Sequence, residues 1–337
     1  MAGFGASAKT FHLPFLLSNP SFVVTAVLER QAKEAPVRLP SARVHQTLES
    51  FLGDREWDLA VITLPNDLHA PVAVEVVRGG RPVVVEKPLA GTWAEAQGLV
   101  EAAARAGVAG FVYQNRRLDG DFQLVRELVR DGRLGRLVRV ECRYDRWANA
   151  LRKKAWKEEG RAGNTLLEDL GSHLVDQALT LFGAPRALRC RLGIQRDESR
   201  TPDAFRIELE YEGLWVDLES GMVVRQSPFH WSLQGTGGTF QKASMDPQEA
   251  QLQAGMSPLD EQFGVEDPSR GGWFYPALGD AVQLPTPRGR YADFYRDVAD
   301  VLLRGTAPTF PLSDGAAVVR ILESCRTSSA EGRTITL

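Results

Sequence analysis

The strongest constraint on this chain is a rhythm in its first third. Four short runs are apolar at nearly every position: Phe22 to Leu28, Leu59 to Leu64, Pro82 to Val85 and Ala109 to Tyr113. They are rich in Val, Ile and Leu and too short for ordinary helices, so they read as strands. Apolar residues without alternation need cover on both faces of a sheet. The intervening stretches supply that cover. His69 to Arg78 and Trp93 to Ala106 have helical character, and Gly79-Gly80 closes the first as a C-terminal glycine does. Strands alternating with helices at this interval predict βαβ units and a parallel sheet.

After Asn115 the pattern changes. Asp121 to Arg130 reads as a helix, Leu137 to Tyr144 as a half-exposed strand, and Gly171 to Phe182 as a helix stopped by Gly183 and Pro185. Strand-like runs follow at Leu188 to Ile194, Phe205 to Tyr211, Leu214 to Glu219 and Phe229 to Leu233, with a hairpin at Glu212-Gly213. Such a series predicts a mostly antiparallel open sheet. Residues 236 to 290, rich in Gly, Pro, Gln and Asp, read as loops and short helices, and Tyr291 to Arg304 and Ala316 to Arg326 as closing helices. At roughly 150 residues per domain, 337 residues make about two. The expected division is residues 1–117 and 118–337, an α/β pair.

A formal net charge of −3 gives no electrostatic case for nucleic-acid binding. No apolar run reaches the roughly 18 residues of a membrane span, and Phe11 to Leu17, broken by Pro14, is no secretory leader. Cys142, Cys190 and Cys325 are odd in number and far apart, which suits a reducing, cytoplasmic setting and suggests no metal site.

Gly3-Phe4-Gly5-Ala6-Ser7-Ala8 fits G-x-G-x-x-A. The first glycine permits a tight turn, the second lets backbone approach a pyrophosphate, and the small third position packs a helix onto a strand. The N–H groups of that helix face the phosphates. Glu29 ends the next strand 21 residues after Ala8, where an acid can accept from an adenosine ribose. Arg30 beside it could pair with a 2′-phosphate instead. On these residues alone, a flexible start and a surface Glu remain open. Thr63-Leu64-Pro65-Asn66 and His69 follow a buried strand, at the end where ligands collect in parallel sheets. Glu86-Lys87-Pro88 ends another. A lysine in such a crevice can polarise an oxygen, although a solvated strand end would look the same. Asp169 to Asp176 opens a helix on which His173 and Asp176 share a face. A His with a carboxylate suits acid–base chemistry, and a capped helix with a core His is the bland alternative.

In order, these pieces resemble the Gfo/Idh/MocA oxidoreductase family across nearly the whole chain. Tyr113-Gln114-Asn115-Arg116-Arg117 with Asp119, Asp121 and Phe122 is similar to the "HNRR–D–DF" segment of its scyllo-inositol dehydrogenase branch. Trp156-Lys157-Glu158, Asp169 to Gly183 and Tyr291 to Arg304 are similar too. The resemblance implies a Rossmann domain plus an α/β domain whose open sheet makes oligomer contacts, and NAD(P)-linked oxidation or reduction of a sugar or cyclitol. It implies Lys87, Asp169 and His173 as the catalytic set, with Gly3 to Ala8, Glu29, Arg30, Leu64, Pro65, Asn66, His69, Glu86 and Lys87 toward the cofactor. Tyr113, Arg116, Trp147, Trp156 and Asp176 are expected at the substrate. NAD is slightly favoured over NADP. A non-catalytic dinucleotide or sugar sensor and an NAD-assisted glycosidase are the alternatives.

Two features depart from that pattern. Glu29 stands where the branch often has a small polar residue, and only Met1 and Ala2 precede the glycine turn. The first Rossmann strand is therefore expected to be missing, leaving a gap between flanking strands, a poorly held turn and weak dinucleotide binding. This argues for a start assigned too late, with another segment or subunit filling the slot, or a wet, partly disordered cofactor domain, as the alternatives. A homodimer or larger homo-oligomer is expected, with Trp215 and Trp231 on the open sheet face.

Overall fold

The computed structural model of the chain describes residues 1–150 and 165–337. They form two compact units. One comprises Met1–Asn115, Gln248–Phe263 and Arg290–Val319; the other comprises Arg116–Pro247, Gly264–Gly289 and Arg320–Leu337. Each is built on one sheet.

The first unit opens with helix α1 (Leu13–Ser18), strand β1 (Ala26–Leu28), α2 (Ala35–Arg38), β2 (Arg43–His45) and α3 (Leu48–Gly53). It continues through β3 (Ala60–Ile62), α4 (His69–Arg78), β4 (Val83–Val85), α5 (Trp93–Ala106) and β5 (Gly110–Val112). β1, β3 and β4 are buried at every position. The strands pair in parallel: β1 with β2, β3 with β4, and β4 with β5. The expected gap between β1 and β3 is filled. Ala2 bridges in parallel to both Leu28 and Ile62. The Met1 amino nitrogen donates to Ala26 O at 2.6 Å, and Leu28 N to Met1 O at 2.9 Å. Ala2 N donates to Val61 O at 2.8 Å, and Thr63 N to Ala2 O at 2.9 Å. Two residues suffice because the flanking strands are themselves only three residues long. The spatial order is thus β2, β1, Ala2, β3, β4, β5. Beyond β5, Val112 N donates to Phe310 O at 3.0 Å. Gly110 leaves room for Leu312, whose Cδ1 would lie 2.3 Å from a Cβ there.

The second unit runs α6 (Gly120–Arg130), β6 (Leu137–Arg143), α7 (Ser172–Phe182), β7 (Ala187–Gly193), β8 (Ala204–Tyr211) and β9 (Leu214–Gly221). β10 (Trp231–Gly235) and β11 (Gly238–Lys242) follow; α8 (Gln248–Gln253) returns to the first unit. β12 (Gly272–Pro276) and β13 (Val282–Leu284) belong to the second. α9 (Ala292–Arg304) lies in the first, α10 (Leu312–Glu331) contributes to both, and β14 (Ile335–Thr336) closes the second. Its nine strands are ordered β13-β12-β11-β10-β6-β9-β8-β7-β14, antiparallel except β6 with β9. Three strands thus occupy the 236–290 stretch that composition assigned to loops and short helices. Their inward residues Phe240, Phe274 and Leu284 are buried while Trp273 and Tyr275 are exposed, a period of two that the glycines and glutamines obscure. Trp215 is 69% exposed, as expected of the open face, but Trp231 is 1% exposed. Trp231 pairs with Cys142, which pairs with Leu218, so its parity places it among core residues. There it meets Phe122 of α6.

α6 also buries Asp121 completely. Its Oδ2 accepts from Asp246 N at 3.0 Å and lies 3.5 Å from His230 Nε2. Burial, then the charge of Asp246, pushes the carboxyl up to about 7, against the pull of Lys242 and Arg116. Among the described residues no helix is long and apolar enough to cross a membrane.

Candidate active site

Because the first sheet is parallel, the carboxyl ends of its strands line one edge. Gly3 to Ala8, Glu29, Thr63 to Asn66, Glu86-Lys87 and Tyr113 all follow strand ends there. The glycine turn is well held, contrary to expectation. Gly3 has φ +105°, and a Cβ would lie 2.9 Å from both the carbonyl oxygen and Oγ1 of Thr63. Thr63 Oγ1 donates toward Gly3 O at 3.1 Å. A Cβ at Gly5 would meet nothing within 4 Å. Phe4 is buried, and Ala8 is fully buried at the third small position. The helix that follows, with a π-helical turn at Ala8–His12, therefore presents its N-terminus beside open space at Gly5, Ala6 and Ser7. That cradle fits a dinucleotide pyrophosphate.

Glu29 holds its own neighbourhood. Both of its carboxylate oxygens accept from Glu34 N at 3.1 Å, and Oε2 from Ala35 N at 2.9 Å, at the start of α2. Arg30 beside it is exposed, and Lys9 pairs with Glu34 at 2.7 Å. Leu64 and Pro65 lead into a 3₁₀ turn at Asn66–Leu68. His69 is buried, its Nε2 2.8 Å from Leu64 O and its Nδ1 2.8 Å from Pro88 O. A neutral ring donates to one of these carbonyls at a time, and burial lowers the imidazole's pKa. The ring thus lies between the Thr63–Asn66 loop and the Glu86–Pro88 loop, hydrogen-bonded to one of them at a time.

Glu86 is buried and Lys87 half-buried. Glu86 Oε2 accepts from Lys87 N at 3.0 Å; Oε1 accepts from Ser7 Oγ and lies 2.9 Å from His12 Nε2. Burial alone would raise this carboxyl, yet the His12 contacts, then Ser7 and Lys87, hold it down at about 2. Tyr113 is buried, donates to Phe11 O at 2.6 Å, and is pushed well above its ordinary range by burial and then by the charge of Glu86.

In the second unit, Asp169 lies on a π-helical turn, Leu167–Gly171, that runs directly into α7. His173 is buried in the first turn of α7, four positions on and so on the same side. The carboxylate of Asp176 is engaged by Arg117: Nε donates at 2.7 Å to Oδ2 and Nη2 at 2.5 Å to Oδ1, both side chains being buried. Arg116 Nη1 donates to Asp119 Oδ2 at 3.2 Å and Nη2 to the Tyr144 hydroxyl at 2.5 Å. Its guanidinium lies 4.7 Å from the Tyr144 ring centroid. Trp147 is half exposed and bridges Val223. Trp156 lies outside the described residues.

Sequence reasoning missed Tyr144 and, above all, His12. A signal for His12 existed: a histidine inside the apolar run Phe11 to Leu17 must find polar partners once buried.

Residues 1–114 match the family model described as oxidoreductase family, NAD-binding Rossmann fold. Residues 126–337 match the one described as oxidoreductase family, C-terminal alpha/beta domain. The chain is similar to an uncharacterized oxidoreductase of Schizosaccharomyces pombe, C115.03, at 36% identity over 99% of this chain and 98% of that protein. It is similar to the scyllo-inositol 2-dehydrogenase (NADP(+)) IolW of Bacillus subtilis at 32% identity, over 99% of this chain and 94% of that protein. Among solved structures, the yvaA protein of Bacillus subtilis superposes with a TM-score of 0.96 at 32% identity, covering 100% of this chain and 97% of that one.

Proposed function

The chain belongs to the Gfo/Idh/MocA family of oxidoreductases, enzymes that act on CH–OH groups with a nicotinamide cofactor, and from that premise we propose that its substrate is a sugar or inositol-like cyclitol. The observation that supports this reading most is the placing of Lys87 on the same carboxyl edge as the glycine cradle, with its loop braced on both sides. The name of the Bacillus subtilis relative supports the cyclitol class.

When bound, the nicotinamide supplies the carbon that accepts or returns a hydride. The chain's own residues manage the proton and the charge. His173 takes the proton of the substrate hydroxyl in the oxidising direction and returns it in the other. Lys87 stabilises the negative charge that develops on that oxygen. Asp169, one turn before His173, supports the imidazolium. Glu86 and His69 hold Lys87 rather than touch substrate. Glu29 tilts the cofactor choice toward NAD, because a carboxylate fixed at the end of β1 opposes a 2′-phosphate. Arg30 and the NADP(+) in the relative's name pull the other way. We place the enzyme in the cytoplasm, where Cys142, Cys190 and Cys325 stay as the free thiols seen here.

The test is a panel of inositols and aldoses with NAD and with NADP, read as absorbance of the reduced cofactor. A cyclitol or sugar should be oxidised, faster with NAD. Lys87→Ala and His173→Ala should fold and lose at least about 10²-fold in rate. Near-wild-type turnover in either variant would remove it from the mechanism. An inert panel would remove the substrate class.

A further inference from the structure

His12 is fully buried, yet the chemistry above gives it no task. It stands on the helix that follows the glycine turn. Its Nδ1 is 2.6 Å from the Tyr295 hydroxyl on α9, and its Nε2 is 2.9 Å from Glu86 Oε1. Its ring stacks at a tilt on Tyr113, with centroids 4.1 Å apart. A neutral imidazole satisfies both polar contacts with one arrangement of protons: Tyr295 O–H donates to Nδ1, and Nε2–H donates to the carboxylate. Tyr295 therefore selects the tautomer that Glu86 requires.

Glu86 is the meeting point. One oxygen takes the Ser7 hydroxyl from the phosphate-binding turn together with His12; the other takes the backbone N–H of Lys87. On the far side, His69 faces the carbonyl of Pro88. Lys87 is thus the one residue between two anchored neighbours, and its anchor on the Glu86 side is shared with the turn that would carry the pyrophosphate.

We propose that Tyr295, His12 and Glu86 form a positioning relay that sets Lys87 against the reacting oxygen and ties its placement to dinucleotide binding at the glycine turn. The inference rests on the reading of Lys87 as the charge-stabilising residue. Tyr295 and His12 touch neither substrate nor cofactor in it; they act through Glu86.

The experiment is a set of double-mutant cycles: Tyr295→Phe and His12→Phe, each in the wild-type and in the Lys87→Ala background. Melting temperature serves as the control for folding, and protein fluorescence reports titration with NADH and with NADPH. Tyr295→Phe removes one oxygen and keeps the ring, so it carries the test if His12→Phe does not fold. In the wild-type background each variant should lower kcat about tenfold to a hundredfold, as small misplacements of a reacting group do. Each should also weaken dinucleotide binding severalfold. In the Lys87→Ala background the further loss in kcat should vanish, because the residue being positioned is gone.

Equal losses in both backgrounds would assign His12 and Tyr295 a general structural role and overturn the relay. So would kcat and dinucleotide affinity within twofold of wild type. If Lys87→Ala turns over like wild type, the role of Lys87 falls and the relay with it. If Lys87→Ala is impaired and the cycle is additive, only the relay falls.

Discussion

Asp176 and Arg117 meet across 59 residues of sequence, and each removes the other's charge from an otherwise dry interior. Truncating Asp176 removes the buried carboxylate to which Arg117 donates twice, so Asp176→Ala should lower the unfolding free energy by about 3–5 kcal/mol, measured by urea denaturation. Replacing both residues by apolar ones of similar volume should recover most of that loss. A single-variant loss below about 1 kcal/mol would mean that the guanidinium finds water or another acceptor. The same pair shows what sequence spacing conveys. Three positions separate His173 from Asp176, which puts them on one helical face but says nothing about which polar group arrives from α6's leading loop. Lys87 and Asp169 were legible as residue types at strand and helix ends. The partners of Glu86 were not, because Ser7, His12 and Lys87 N converge on it only once the sheet is assembled.

The glycine turn separates two demands that its motif merges. Gly3 is needed by the protein itself: its φ is +105° and Thr63 closes over it. A residue forced into such backbone costs about 1–3 kcal/mol. Gly3→Ala should therefore lower the melting temperature and dinucleotide affinity together. Gly5 has empty space where a Cβ would go. Gly5→Ala should leave the melting temperature unchanged and still weaken binding, since the methyl enters the volume a phosphate would use. Loss of melting temperature in both variants, or in neither, would contradict this division. At this scale α4 and α5 were readable to the residue, because long amphipathic segments with glycine stops leave few alternatives. β11 to β13 were not, because strands of three to five residues interleaved with Gly, Gln and Pro carry too few apolar positions to set a period. The two-residue stub at Ala2 shows the same limit: a pair of residues has no pattern, and its strand character comes from Leu28 and Ile62 on either side.

The open face of the large sheet carries rows fixed by register. Tyr275, Thr239, Gln234, Arg139 and Trp215 lie side by side, next to a row of Trp273, Gln241, Ser232, Glu141 and Asp217. Arg139 pairs with Asp217 and Glu141, and Arg206 with Asp217 and Glu219, so the charges are already matched within the face. Exposed aromatics among neutralised charges suit a second copy of the chain, and we propose a homo-oligomer with a dimer as its minimal unit. Sedimentation at micromolar concentration should show it, and Trp215→Glu should shift it toward monomer; a wild-type monomer would contradict it. Beneath that sheet lies Asp121, whose carboxyl is raised in the folded chain to about 7, while an unfolded aspartate titrates near 4. Between those values the native chain holds a proton that the unfolded chain has released, so this residue's contribution to stability is complete at low pH and declines as pH rises through the window. Asp121→Asn should flatten that slope. Unfolding at about pH 5.5 also hands the Asp121 proton to the surrounding buffer. The heat of unfolding should therefore depend on the buffer's own enthalpy of ionisation, and the dependence should shrink in Asp121→Asn. A carboxyl group buried for packing thus makes the calorimetric signature of the whole molecule a property of the solution it is dissolved in.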